Sequence, residues 1–275
     1  MTTPDIRLIA VDMDGTLLDP AGRIPDGLWP LLDRLRERGI AFAPASGRQL
    51  ATLQRSFGEA GRDLDYIAEN GAYVVREGVE VSSDALDPAF VRDLILRMRR
   101  LVADGALHAG VVVCGKESAY IEDTDPRFLA EVEKYYARLS VVDDVLAQQD
   151  QVLKLAIYDH DGGETHTAPA LDDLRRTHQV VVSGAHWIDI MNAGVNKGVA
   201  LRNLQRALGI TPAQTVAFGD YLNDLELLQA ADWSYAMADA HPDVAAIARH
   251  RAPSNAEFGV ITTIETLLEF PGRPA

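Results

Sequence analysis

The sequence predicts an α/β fold: a doubly wound parallel sheet interrupted by an inserted α+β domain. Three observations predict it. Short apolar runs alternate with amphipathic helical patterns over residues 1–82. The same alternation returns at Ile188 and continues to the end of the chain. Between them, residues 83–187 hold helical and strand-like stretches in a different order, with no chemistry-bearing motif. The length, 275 residues, exceeds the commonest single-domain size.

The elements follow in order. Residues 8–11 (Leu-Ile-Ala-Val) are a first strand. Residues 27–38 read as a helix, with Leu28, Leu31, Leu32 and Leu35 on one stripe and Gly39 to end it. A second apolar run, 40–45, leads into Ser46-Gly47-Arg48 and a helical pattern reaching Phe57. Residues 66–68 are a third run, and 72–75 and 79–82 flank Arg76-Glu77-Gly78 as a hairpin. Strands separated by helices imply parallel pairing with right-handed crossovers. In the insertion, helical patterns cover 88–104, 126–138 and 169–177. Strand-like runs cover 111–114, 153–158 and 179–182, and Asp159-His160-Asp161-Gly162-Gly163 is a polar loop. The last part reads as helix 197–208 with Gly209 beyond it, strand 215–218, helix 222–230, strand 233–236, helix 242–248 and a closing helix, 259–268.

Composition narrows the function. The chain is 47% hydrophobic and 24% charged, ordinary for a soluble globular protein. Its net charge of −15 disfavours nucleic acid and anionic membranes, which need basic patches. It does not exclude a phosphate ligand, because a local cation reverses the field inside one pocket. Cys114 is the single cysteine, in an apolar run, so no disulfide forms within the chain; this fits a reducing compartment. Met1-Thr2-Thr3-Pro4-Asp5 lacks the basic and apolar regions of a secretory signal. No apolar stretch reaches the length of a membrane span. The expected location is the cytoplasm. The expected partner is a small molecule, not nucleic acid or membrane, and the expected state is a monomer or small homo-oligomer.

The most informative residues are the acids that end the first strand, in Val11-Asp12-Met13-Asp14-Gly15-Thr16. Alternate strand residues face the same way, so Asp12 and Asp14 are expected to address one site. Gly15 permits a sharp turn. The carboxyl ends of strands are where open α/β sheets bind ligands. Two such carboxylates must share a proton or a cation. An Asp-x-Asp-Gly-Thr string arises by chance in only about a few per thousand chains of this length. Three further pieces lie past a core strand or at a helix start: Ser46; Lys197 in Asn196-Lys197-Gly198; and Gly219-Asp220-Tyr221-Leu222-Asn223-Asp224. Singly, each has a plain reading. Ser46-Gly47 suits a turn, Lys197 a solvated first helical turn, and Asp220, Asn223 and Asp224 suit helix caps. Their joint placement points to a site.

In order and content these four pieces resemble the motifs of the haloacid dehalogenase superfamily of phosphohydrolases. The segment between Ser46 and Lys197 is similar to the large α/β cap of its Cof-type subfamily (subclass IIB). Asn70-Gly71-Ala72 and the stretch from Ala236 to Pro242 are also similar to that subfamily. The resemblance implies a Rossmann-like core, residues 1–82 and 188–275, and a specificity cap, residues 83–187, that shuts over the site. Tyr221 departs from the acidic or small residues often found at its position.

The chemistry can also be argued from charge. A phosphate monoester dianion repels a carboxylate nucleophile unless Mg²⁺ cancels the repulsion. Asp12 and Asp220 are expected on the metal, the resemblance adds the backbone carbonyl of Asp14, and Asp224 is expected to orient the metal or its waters. Asp12 attacks and forms an aspartyl-phosphate. Asp14 protonates the leaving alkoxide, then deprotonates water. Ser46 and Lys197 stabilise the phosphoryl oxygens, and Lys197 keeps Asp12 ionised. Gly15, Thr16, Gly47, Arg48 and Asn223 are expected phosphate or substrate contacts. His186, Trp187, Lys116, Glu117 and Lys154 are weaker cap candidates, and Tyr135-Tyr136 reads as a packing face. The reading is a Mg²⁺-dependent phosphatase of a small phosphometabolite, a sugar phosphate first. A phosphomutase with the same aspartate pair and a non-catalytic ligand-binding module are the alternatives.

Overall fold

The computed structural model describes residues 4–269. The strands among them are, in chain order, β1 (Leu8–Asp12), β2 (Ala41–Ala45), β3 (Asp65–Ala68), β4 (Tyr73–Arg76), β5 (Val79–Ser83), β6 (Ala109–Gly115), β7 (Ala119–Ile121), β8 (Leu139–Val141), β9 (Val152–Asp159), β10 (His178–Val182), β11 (Trp187–Asn192), β12 (Thr215–Gly219), β13 (Trp233–Ala236) and β14 (His250–Arg251). The described residues divide into two compact units, one running to Ser82 and resuming at Asn196, the other Ser83–Val195.

The first unit is built on an eight-stranded sheet of order β14-β13-β12-β1-β2-β3-β4-β5. From β14 to β3 the pairing is parallel; β4 runs antiparallel to β3. Every residue of β1 is buried, which explains its near-continuous apolar sequence. Ile9 and Val11 join one apolar layer with helices Leu28–Glu37, Leu50–Phe57 and Gly259–Leu267. Leu8 and Ala10 join the opposite layer with helices Lys197–Leu208, Leu225–Gln229 and Pro242–Ile247. Each such fully buried Leu or Ile contributes roughly 1.5–3 kcal/mol. The sheet is therefore doubly wound, as the alternation implied. From β1 the chain first builds outward through β2 and β3 and later returns to the other side at β12. The carboxyl end of β1 is thus a topological switch point, where such sheets bind ligands.

The second unit has a six-stranded sheet of order β10-β11-β9-β6-β7-β8, antiparallel except for β7 beside β8. Helix Pro88–Ala103 packs on one face through Val91, Leu94, Ile95 and Met98. Helix Pro126–Tyr135 packs on the other through Phe128 and Val132. Both helices begin with Asp before Pro, the Asp side chain accepting two backbone N–H bonds. Within this sheet Lys154 and Asp189 form a buried ion pair at 3.3 Å.

The structure corrects several element boundaries. Residues 188–195 belong to the second unit, not to the core, because β11 pairs antiparallel with both β9 and β10. The helical pattern at 169–177 is broken into short turns, since Leu171 leaves helical geometry at φ −119°, ψ 15°. The helix expected to reach residue 138 stops at Tyr135, where Tyr136 turns extended ahead of β8. Residues 222–230 divide into a tight turn, Leu222–Asp224, and a helix, Leu225–Gln229. Strands β7, β8 and β14 are too short to carry a two-residue periodicity. Met1-Thr2-Thr3, part of the segment read for a secretory signal, lies outside the described residues. Among the described residues no helix is long and apolar enough to cross a membrane.

Candidate active site

Asp12 is the last residue of β1, and its side chain is only 8% exposed. The strand stops there. Met13–Leu17 form a tight turn, with Asp14 extended and Gly15 at φ +80°. Asp12 and Asp14 therefore do not share a strand face, and the alternation expected of them does not apply. Gly15 is required twice over: its left-handed φ strains any other residue, and a Cβ there would collide with the Asp220 carboxylate.

Lys197 enters from the start of helix Lys197–Leu208, whose N-cap is Asn196. Gly198 lets this helix approach the next one, because a Cβ would strike the backbone carbonyl of Glu226. Lys197 is consequently fully buried. Its Nζ donates to Asp12 Oδ1 at 2.5 Å and to Asp224 Oδ1 at 2.7 Å. Asp224 Oδ2 accepts the backbone N–H groups of Asp220 (3.0 Å) and Tyr221 (3.3 Å). Asp224 therefore holds the loop that follows β12 and anchors the lysine. Thr16 Oγ1 donates to Asp220 Oδ1 at 2.9 Å.

Asp12, Asp220 and Asp224 each present an oxygen within 4.8 Å of the others. Burial, then the charge of Asp224, pushes the Asp12 carboxyl well above its ordinary range, although Lys197 pulls it down. Lys197, expected to keep Asp12 ionised, acts in that direction through both its charge and its hydrogen bond. Burial lifts Asp220 to about 6. For Lys197 burial works downward, but Asp12 and Asp224 hold the ammonium above its ordinary value. Three carboxylates against one ammonium leave two negative charges in excess. All the donors are hard oxygens. This donor set fits a divalent hard cation such as Mg²⁺.

The Asp14 carboxylate is not in the cluster. It is 61% exposed and is gripped by Arg48, Nε to Oδ2 at 3.0 Å and Nη2 to Oδ1 at 2.5 Å. Arg48, expected as a phosphate or substrate contact, pairs with Asp14. Thr16, expected likewise, gives its hydroxyl to Asp220. Ser46 is buried just beyond β2; its Oγ accepts the Arg48 N–H at 3.2 Å, and its carbonyl accepts the Asn70 N–H at 3.0 Å. Gly47 has a packing reason, because a Cβ would press on the Asn70 amide at 3.0 Å. Asn223 donates to Asn70 Oδ1 at 3.4 Å.

Asn70 is the residue that sequence reasoning gave no role. It sits in a run of three left-handed residues, Glu69, Asn70 and Gly71, between Ser46 and Asn223. The Asn-Gly pair was the available signal, since Asn and Gly tolerate that conformation best. The weaker candidates Lys116, Glu117, Tyr135, Tyr136, Lys154, His186 and Trp187 all fall in the second unit. There His186 meets the Asp159 carbonyl at 2.7 Å and Tyr135 stands edge-on to Trp187.

Carboxylates at the switch point of a doubly wound sheet, with a buried lysine between them, form a compact charged site of the kind that suits phosphoryl-transfer chemistry. Comparison with known proteins gives the family. A model of haloacid dehalogenase-like hydrolases matches residues 9–264. The chain is 34% identical over 268 residues to the 5-amino-6-(5-phospho-D-ribitylamino)uracil phosphatase YbjI of Escherichia coli (strain K12), covering 96% of this chain and 97% of that one. It is 28% identical over 247 residues to the HMP-PP phosphatase of Cronobacter sakazakii, covering 89% of this chain and 88% of that one. A crystal structure from Streptococcus mutans UA159 superposes with a TM-score of 0.83 at 27% identity, covering 96% of this chain and 99% of that chain. The chain belongs to the haloacid dehalogenase-like hydrolases, and within them it is a phosphatase, a hydrolase of phosphoric monoesters.

Proposed function

We propose that this protein hydrolyses a small phosphomonoester borne on a sugar or polyol carbon, through an aspartyl-phosphate on Asp12 and with Mg²⁺. The observation that carries the proposal is the buried Asp12–Lys197–Asp224 chain beside Asp220. Asp12 and Asp220 would hold the ion, with the Asp14 backbone carbonyl as the family adds. Bound there, Mg²⁺ supplies positive charge that offsets the repulsion between a phosphate dianion and a carboxylate.

The chain's own residues do the rest. Asp12, held by Lys197, is the nucleophile; its oxygen bonds to phosphorus as the bond to the leaving oxygen breaks. Lys197 and the Ser46 hydroxyl draw charge from the phosphoryl oxygens. Asp14 gives a proton to the leaving alkoxide and then takes one from the water that cleaves the aspartyl-phosphate. Asp224 keeps Lys197 and the Asp220 loop in place. The polyol assignment draws support from the ribityl phosphate in the name of the E. coli relative. The second unit is proposed to select among leaving groups.

The test is phosphate release across a few dozen phosphorylated metabolites, with and without Mg²⁺. Turnover should vanish in EDTA and return with Mg²⁺, and Asp12→Asn should be inactive. Full activity in chelator removes the metal. Turnover by Asp12→Asn refutes the nucleophile, and transfer to a second sugar hydroxyl without phosphate release would make the enzyme a mutase.

A further inference from the structure

The structure assigns Arg48 a part in the reaction itself: it is a positioning residue that sets the Asp14 carboxylate for proton exchange with the leaving-group oxygen. The inference rests on the role given to Asp14 above.

Three observations carry it. First, Arg48 meets Asp14 through two parallel contacts, Nε to Oδ2 at 3.0 Å and Nη2 to Oδ1 at 2.5 Å. A planar fork on a carboxylate fixes its rotation as well as its position, which a point charge does not. Second, the backbone of Arg48 is tied to the loop that presents Ser46. Its N–H donates to Ser46 Oγ, and its carbonyl accepts the Glu69 N–H at 3.1 Å. Arg48 therefore ties Asp14, 34 positions before it in sequence, to the loop that carries Ser46. Third, nothing else restrains the acid. Asp14 lies extended in a turn before a left-handed glycine, and its carboxylate has no other hydrogen-bond partner among the described residues. Left alone, such an exposed side chain samples several rotamers. Stability offers no rival explanation, because ion pairs at this exposure contribute at most about 1 kcal/mol.

The test compares kcat/KM for an alkyl phosphate, whose alkoxide needs a proton to leave, with p-nitrophenyl phosphate, whose phenolate does not. kcat/KM reports only the steps up to departure of the leaving group, so the ratio of the two isolates proton donation. Correct general acid catalysis is worth about 10²–10⁴-fold. Arg48→Ala should lower the alkyl-to-nitrophenyl ratio by on the order of 10²-fold, and Arg48→Lys by an intermediate amount. Asp14→Asn should lower the same ratio at least as far, and adding Arg48→Ala to it should change the ratio no further. Equal losses on both substrates would place Arg48 on the phosphoryl group or in the fold and overturn the inference, as would an unchanged ratio. If Asp14→Asn lowers the ratio and Arg48→Ala does not, the positioning role fails while the role of Asp14 stands. If Asp14→Asn leaves the ratio unmoved, the role of Asp14 fails and takes this one with it.

Discussion

Replacing Lys197 with methionine tests the charge balance of the site most directly. The side chain is fully buried and donates to Asp12 at 2.5 Å and to Asp224 at 2.7 Å. Methionine keeps the length and removes the charge, so two buried carboxylates lose their cation. Removing one partner of a buried ion pair destabilises by about 3–5 kcal/mol. That is a large share of a typical total of roughly 5–15 kcal/mol. Protonation offers partial relief. Burial already raises the Asp12 carboxyl, and losing Lys197 raises it further. A carboxyl whose folded value lies above its unfolded value stabilises at low pH, and that stability disappears as pH rises through the folded value. Lys197→Met should therefore be destabilised less at pH 5 than at pH 8. Denaturant unfolding in chelator, followed by circular dichroism at both pH values, measures this. A loss below about 1 kcal/mol, or one that grows on acidification, would refute the reasoning.

Two other outcomes follow from the core unit. Burial lifts Asp65 to about 6, with Glu77 adding to the rise and Arg76 opposing it. Its contribution to stability is complete below the unfolded value of 3.8 and is lost as pH climbs through 6, so wild type should lose about 1 kcal/mol between pH 5 and pH 8 from this group. Asp65→Asn should flatten that slope in unfolding titrations; an unchanged slope counts against it. Gly15→Ala meets both a left-handed φ and the Asp220 carboxylate. It should destabilise by about 1–2 kcal/mol and lower phosphate release at least roughly tenfold, the equivalent of about 1.4 kcal/mol at the barrier. Wild-type turnover in that variant would show that the Asp220 position does not matter.

Much of this protein is legible locally. The Leu8–Val11 run, the stripe of Leu28, Leu31, Leu32 and Leu35, and the Asn cap before Lys197 are each decided by neighbours a few residues away. They fix strands, helices and the acids at their ends, and so the doubly wound core. The partners of those acids are another matter. Arg48 lies 34 residues from Asp14 and Asp220 lies 204 from Thr16. Periodicity carries no trace of such pairings.

The residues able to do chemistry could be read from the chain order: strand-end aspartates, a helix-start lysine and a glycine in the turn, because backbone geometry and side-chain type are local properties. Which side chains pair was left to the folded chain. It drew Asp12, Asp220 and Asp224 around Lys197 and left Asp14 to Arg48, and it gave β11 to the second sheet rather than the core. The physical reason is that burial and charge pairing depend on what the folded chain brings within a few ångströms, and a strand joins the sheet that holds its hydrogen-bond partners.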